Sequence, residues 1–135
     1  MERSRNELSS KNKYWISKHR YLELKHFCLQ YPEWKRQLNT INNLPSSNGF
    51  VRVSTRSSDD FFIDHVVLCR INLEKSMSLV EQAAQNTDGY LAPFIFAAVT
   101  EEKSYTWLRE HGMACGKDMF YDRYHKFFWL LDQSR

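Results

Sequence analysis

The sequence predicts an all-α protein, a small helical domain with a C-terminal helix-turn-helix. Three observations predict it. Apolar residues recur at helical spacing along most of the 135 residues, the four glycines and three prolines fall mainly between those runs, and no pair of alternating runs is joined by a hairpin turn.

The elements follow in order. Residues 1–10 read as a polar tail, after which Ser9 or Ser10 can cap a helix from Lys11 to about Gln30. Its apolar stripe is Tyr14, Trp15, Leu22, Leu24, Phe27 and Cys28, and Lys11, Lys18 and Lys25 repeat at seven-residue spacing along one line. Tyr31-Pro32 ends this helix, and Pro32 can open a short one through Glu33–Leu38. Residues 39–58 are rich in Asn, Ser and Thr and form a linker, with a weak strand signal at Phe50–Val53. A third helix is expected from about Asp59 to Gln85, capped by Ser57 or Ser58, with Ile63, Val66, Val67, Cys69, Ile71, Met77, Leu79, Val80 and Ala83 as apolar positions. Thr87-Asp88-Gly89 breaks the chain and re-caps it for a fourth helix carrying Leu91, Phe94, Ile95, Ala97 and Ala98, where Pro93 falls in the tolerant first turns.

The last third reads as helix, turn, helix over 100–133. Thr100 is placed to cap a helix whose first turn holds Glu101 and Glu102, and Gly112 is its left-handed stop. A second helix opens at Gly116. At 100° per residue Phe120, Tyr124, Phe127 and Leu131 share one sector with Phe128 beside it, which makes the core face. The opposite side collects Asp118, Tyr121, Asp122, His125, Lys126 and Trp129. The organisation expected is a basic helical segment over 1–38, a linker over 39–58 and a helical domain over 59–135.

Composition narrows the functional classes. The net charge of +3 hides a gradient: residues 1–56 hold eleven Lys/Arg against four Asp/Glu, residues 57–99 two against six, and residues 100–135 six against six. No stretch is long and apolar enough to span a membrane, and the N-terminus lacks the apolar run of a signal peptide. Cys28, Cys69 and Cys115 are odd in number and far apart, which suits free thiols in a reducing cytoplasm. The five histidines and three cysteines form no CxxC or HExxH pattern, and no glycine-rich phosphate loop is present, so no catalytic residue, cofactor or metal site is expected.

Binding residues are easier to nominate. Lys117, Arg123 and Lys126 can reach phosphates, and Tyr121 and His125 can stack on bases or meet their edges. Near the N-terminus, Lys11, Lys18 and Lys25, with Lys13, Arg20, Lys35 and Arg36, stand among Tyr14, Trp15 and Trp34. Basic residues interleaved with aromatics suit nucleic acid. Cys115, beside a helix start, could have a thiol activated by the dipole, although a turn residue is the simpler reading.

Three stretches, YLELKHFCLQYPEWK (21–35), SLVEQAAQNTD (78–88) and AVTEEKSYTWLREHGMACGKDMFYDRYHKFFWLL (98–131), together carry a family resemblance. They are similar to ArpU/RinA-like transcriptional regulators of Gram-positive phages and mobile elements, whose C-terminal module resembles sigma-factor region 4. The resemblance implies binding to double-stranded DNA close to host RNA polymerase. Its reading helix would be Gly116–Leu131, with Lys117, Tyr121, Arg123, His125 and Lys126 as contacts. Two alternatives stay open: a phage protein that inhibits or adapts a host nucleic-acid enzyme, and an accessory to DNA packaging or recombination. Binding to a palindromic site would require a homodimer.

Overall fold

A computed structural model describes residues 10–44 and 57–135, with only the backbone described for 57–60. All its regular elements are helices: α1 Lys18–Leu29, α2 Tyr31–Asn42, α3 Ser57–Thr87, α4 Ala92–Glu101, α5 Tyr105–Glu110 and α6 Lys117–Ser134. The strand signal at Phe50–Val53 and the capping role given to Ser9 lie outside the described residues.

The chain divides into two compact units, one of Met1–Tyr31 with Leu79–Arg135 and one of Pro32–Ser78. In the first, α1, α4 and α6 pack against one another in all three pairings. Most of the buried residues are ones that helical periodicity selects, although Val99 was not among them and Trp15, expected on the first stripe, is exposed. From α1 come Leu24, Phe27 and Cys28, from α4 Ile95, Ala98 and Val99, and from α6 Phe120, Tyr124, Phe127, Phe128 and Leu131. The expected core face of α6 is therefore the observed one. The last two turns of α3 add Val80, Ala83 and Ala84, and Thr87 joins them by returning its hydroxyl to the Ala83 carbonyl at 2.7 Å. Rings fill much of the remaining space, with Tyr21 edge-on to Phe128 at 5.0 Å and Phe127 edge-on to Phe128 at the same distance.

Local chemistry moves three boundaries. Helix α1 starts at Lys18 rather than Lys11, because Asn12 accepts from Tyr14 N through its side chain and from Trp15 N through its carbonyl. That turn competes with helix, and Ser17 supplies the cap instead by accepting from Arg20 N. Lys11 thus stands outside the helix, and the expected line of three lysines is broken. Helix α2 runs to Asn42, past the expected end at Leu38. Thr100 caps nothing: it is buried in the last turn of α4, bonded to the Phe96 carbonyl at 2.7 Å. Glu102 takes the left-handed conformation (φ 55°) that ends α4, and Ser104 caps α5 through Trp107 N.

The Thr87–Gly89 break behaves as its composition predicts. Asp88 Oδ1 accepts from the backbone N–H groups of Tyr90 and Leu91 at 2.9 and 3.0 Å, which satisfies donors at the entry to α4.

Candidate nucleic-acid interface

The approach to α6 is built from side chains that clamp backbone. Gly112 adopts φ +105° and ends the turn after α5, as its position in the sequence suggests. Met113 N then donates to the Leu108 carbonyl, and both side chains are buried, which ties the connector to α5. The Cys115 carbonyl accepts from Tyr105 Oη at 2.8 Å and from Arg109 Nη1 at 2.9 Å. Tyr90, from ahead of α4, donates to the Gly112 carbonyl and accepts from Ala114 N at 2.9 Å. Five of the six connector residues, 111–115, thereby have a backbone group held by α5 or by Tyr90. The start of α6 is thus tied to α5 and to Tyr90.

Exposure along α6 is uneven. Lys117, Asp118 and Met119 are exposed, whereas every residue from Phe120 to Asp132 is buried or half-buried. Tyr121 is half-buried among Tyr105, Phe120 and Tyr124. The Lys117 ammonium lies 5.9 Å from the Tyr105 ring. Arg123 is turned to carboxylates: its Nε meets Asp88 Oδ2 at 3.3 Å and its Nη1 pairs with Asp122.

Two expectations for this helix need correction. Periodicity places His125 on the outer face, but it is 7% exposed and cannot reach a base edge without leaving the core. Trp129 is half-buried, and Tyr14 meets its ring at 5.5 Å, so the N-terminal segment covers what a bare helical wheel leaves open. The same seam continues through Tyr21 Oη and Tyr124 Oη at 2.9 Å, Arg20 with Asp132 at 2.6 Å, and Arg135 with Glu23 at 3.1 Å. A helix covered along this seam exposes its end. Lys126 is half-buried.

The basic residues of the N-terminal half stand in two places. In the first unit, Lys11, Lys13, Lys18 and His19 are exposed, as is Trp15 by 43%, and Lys25 is half-buried on α1. Lys35 and Arg36 are exposed on α2, in the second unit.

Burial sets the titration of several groups. The Cys28 thiol is pushed up to about 12 by burial, and Cys115 is also raised by burial, against the activation its place near a helix start suggests. Tyr124 and Tyr21 are both held above the usual phenol range, chiefly by burial. Asp88 goes the other way: the Leu91 N–H, then Arg123 and the Tyr90 N–H, hold its carboxyl below the usual range.

Sequence reading missed one surface feature, an open cleft of about 350 Å³ lined by Tyr31, Glu81, Ala84, Gln85, Ala92, Pro93 and Phe96. Tyr31 Oη donates to Glu81 there, and its ring stands edge-on to Phe96 at 4.8 Å. Among the described residues no group of three or more His, Cys, Asp or Glu is arranged to hold a metal, and no helix is long and apolar enough to cross a membrane. No known protein family, curated protein or solved structure matches this chain.

Proposed function

We propose that the chain is a DNA-binding transcriptional regulator of the phage or mobile-element kind its motifs resemble, in which α5, the clamped connector and α6 act as a helix-turn-helix. One observation carries this reading: short of its last two residues, the exposed side chains of α6 are those of its first turn, on a connector already locked by Tyr90, Tyr105 and Arg109. Recognition helices of this motif read base edges with their N-terminal residues. Lys117 is the leading contact, with Tyr121 behind it. Lys126 contributes to phosphates at most, and His125 and Arg123 shape the module from within. Lys11, Lys13, Lys18 and Lys25 add sequence-independent phosphate contacts from the first unit, while Lys35 and Arg36 do so from the second. Host RNA polymerase is the protein such a regulator would act on.

Fluorescence anisotropy on a duplex selected from random sequence tests the assignment. Lys117→Ala is expected to cost about 1–3 kcal/mol on the selected site and to relax its sequence preference. The triple variant Lys11→Ala, Lys13→Ala, Lys18→Ala instead lowers the salt slope by about 0.9 for each phosphate left without its lysine, on every duplex alike. Equal slopes for parent and triple variant, with Lys117→Ala binding as the parent does, overturn the reading.

A second reading has its own observation. Met119 is 54% exposed on the first turn of α6, and Tyr90 is also exposed where it clamps the connector, so the same end presents apolar surface suited to a protein. Capture of a host nucleic-acid enzyme that survives nuclease treatment and is lost in Met119→Asp favours it.

A further inference from the structure

Helix α3 carries more apolar surface than the protomer covers. Between Phe61 and Ser78 one row recurs at alternating steps of three and four: Phe61, Asp64, Leu68, Ile71, Lys75 and Ser78. All six are exposed, Phe61 by 75%, Leu68 by 58% and Ile71 by 53%. The row lies within one compact unit. It has the three-four spacing of a coiled-coil seam, in which every position faces a partner helix.

Charge selects the occupant. Asp64 and Lys75 interrupt the apolar row at positions symmetric about the midpoint of Leu68 and Ile71. Neither is ion-paired among the described residues. In a parallel, in-register pair Asp64 would face Asp64 and Lys75 would face Lys75, which is repulsive at both levels. An antiparallel pair about a two-fold axis brings Leu68 against the Ile71 of a second copy, Asp64 against its Lys75, and Phe61 against its Ser78. Every contact then occurs twice, as an isologous interface requires.

We infer that this row is a homodimer interface, in which α3 of two copies of the chain pairs antiparallel through Leu68 and Ile71 with the Asp64–Lys75 ion pair on either side. The inference stands apart from the DNA reading, since neither needs the other. Carbodiimide coupling followed by peptide mapping provides the direct test on the full chain. Within one helix Asp64 and Lys75 are eleven residues and about 16 Å apart, so a zero-length bond between them can form only across two chains. Sedimentation should give twice the 16.2 kDa chain mass, with an Asp64–Lys75 cross-link in the dimer band. Asp64→Lys or Lys75→Asp alone should weaken the dimer at least tenfold, and the two together should restore it. Circular dichroism checks that each variant keeps its helix. A chain that stays monomeric up to about 100 µM overturns the proposal. So does a dimer that lacks the cross-link and ignores the charge reversals.

Discussion

Two phenol oxygens 2.9 Å apart illustrate what single atoms do in this core. Tyr21 and Tyr124 join α1 to α6 through one hydrogen bond, and Tyr124 is 8% exposed. Removing either hydroxyl leaves the other in a poorly solvated place without its partner, which costs about 1–3 kcal/mol. Removing both leaves two phenylalanines of nearly the same shape and no orphan. Tyr21→Phe and Tyr124→Phe are thus each expected to destabilise by about 1–2 kcal/mol, while the double variant returns close to the parent. Urea unfolding of the four proteins closes this cycle, and additive losses would show that the pair contributes nothing as a pair. His125, one residue on, shows where reading by wheel stops. A wheel gives its angle on α6 but not its surroundings: His125 is buried, and four residues on, on the same side of the helix, Tyr14 stands against Trp129.

At the scale of elements, helix starts show both the reach of the sequence and its limits. Asp88 was legible as a re-capping residue because an Asx side chain before a proline-bearing apolar run has few other uses. Thr100 was not, since a hydroxyl can cap the next helix or fold back onto its own, and burial decided for the second. Phe120, Phe127 and Leu131 were legible as core through their 3.6-residue spacing, whereas the clamps from Tyr90 and Tyr105 onto the connector join residues too far apart for any local pattern to reveal. The Asp88 cap yields a prediction with a sign. Asp88→Ala should cost about 1 kcal/mol, the usual loss for an N-terminal cap, and slightly more because Arg123 keeps only Asp122 of its two carboxylates. Because the folded state lowers this carboxyl from its ordinary 3.8, its contribution is full above that value and disappears as pH falls through the lower folded one. Stability of the parent should therefore fall more steeply in acid than that of Asp88→Asn, which keeps an acceptor but does not titrate. Matching acid limbs in thermal melts between pH 2 and 5 would remove Asp88 from the account.

At the scale of the whole molecule the two proposals meet in one measurable property, the symmetry of the bound site. A single helix-turn-helix reads one half-site, and two copies related by a two-fold axis read an inverted repeat. Linking two reading heads converts the second contact into an intramolecular one, so avidity rises without any new DNA contact. The expectation is that duplexes selected from random sequence by the parent chain carry inverted repeats, whereas Leu68→Glu, which places a charge at the centre of the α3 seam, selects the same half-site singly. On an inverted repeat that variant should bind at least about tenfold more weakly at protein concentrations that dimerise the parent, and on an isolated half-site equally well. Lys117→Ala separates the roles from the other side: it should weaken both duplexes and leave the sedimentation mass unchanged. Inverted repeats selected equally by parent and Leu68→Glu would place the dimer contact elsewhere in the chain. An unchanged half-site affinity in Lys117→Ala would remove the first turn of α6 from the reading head, and the α3 pairing would then stand on its cross-link alone.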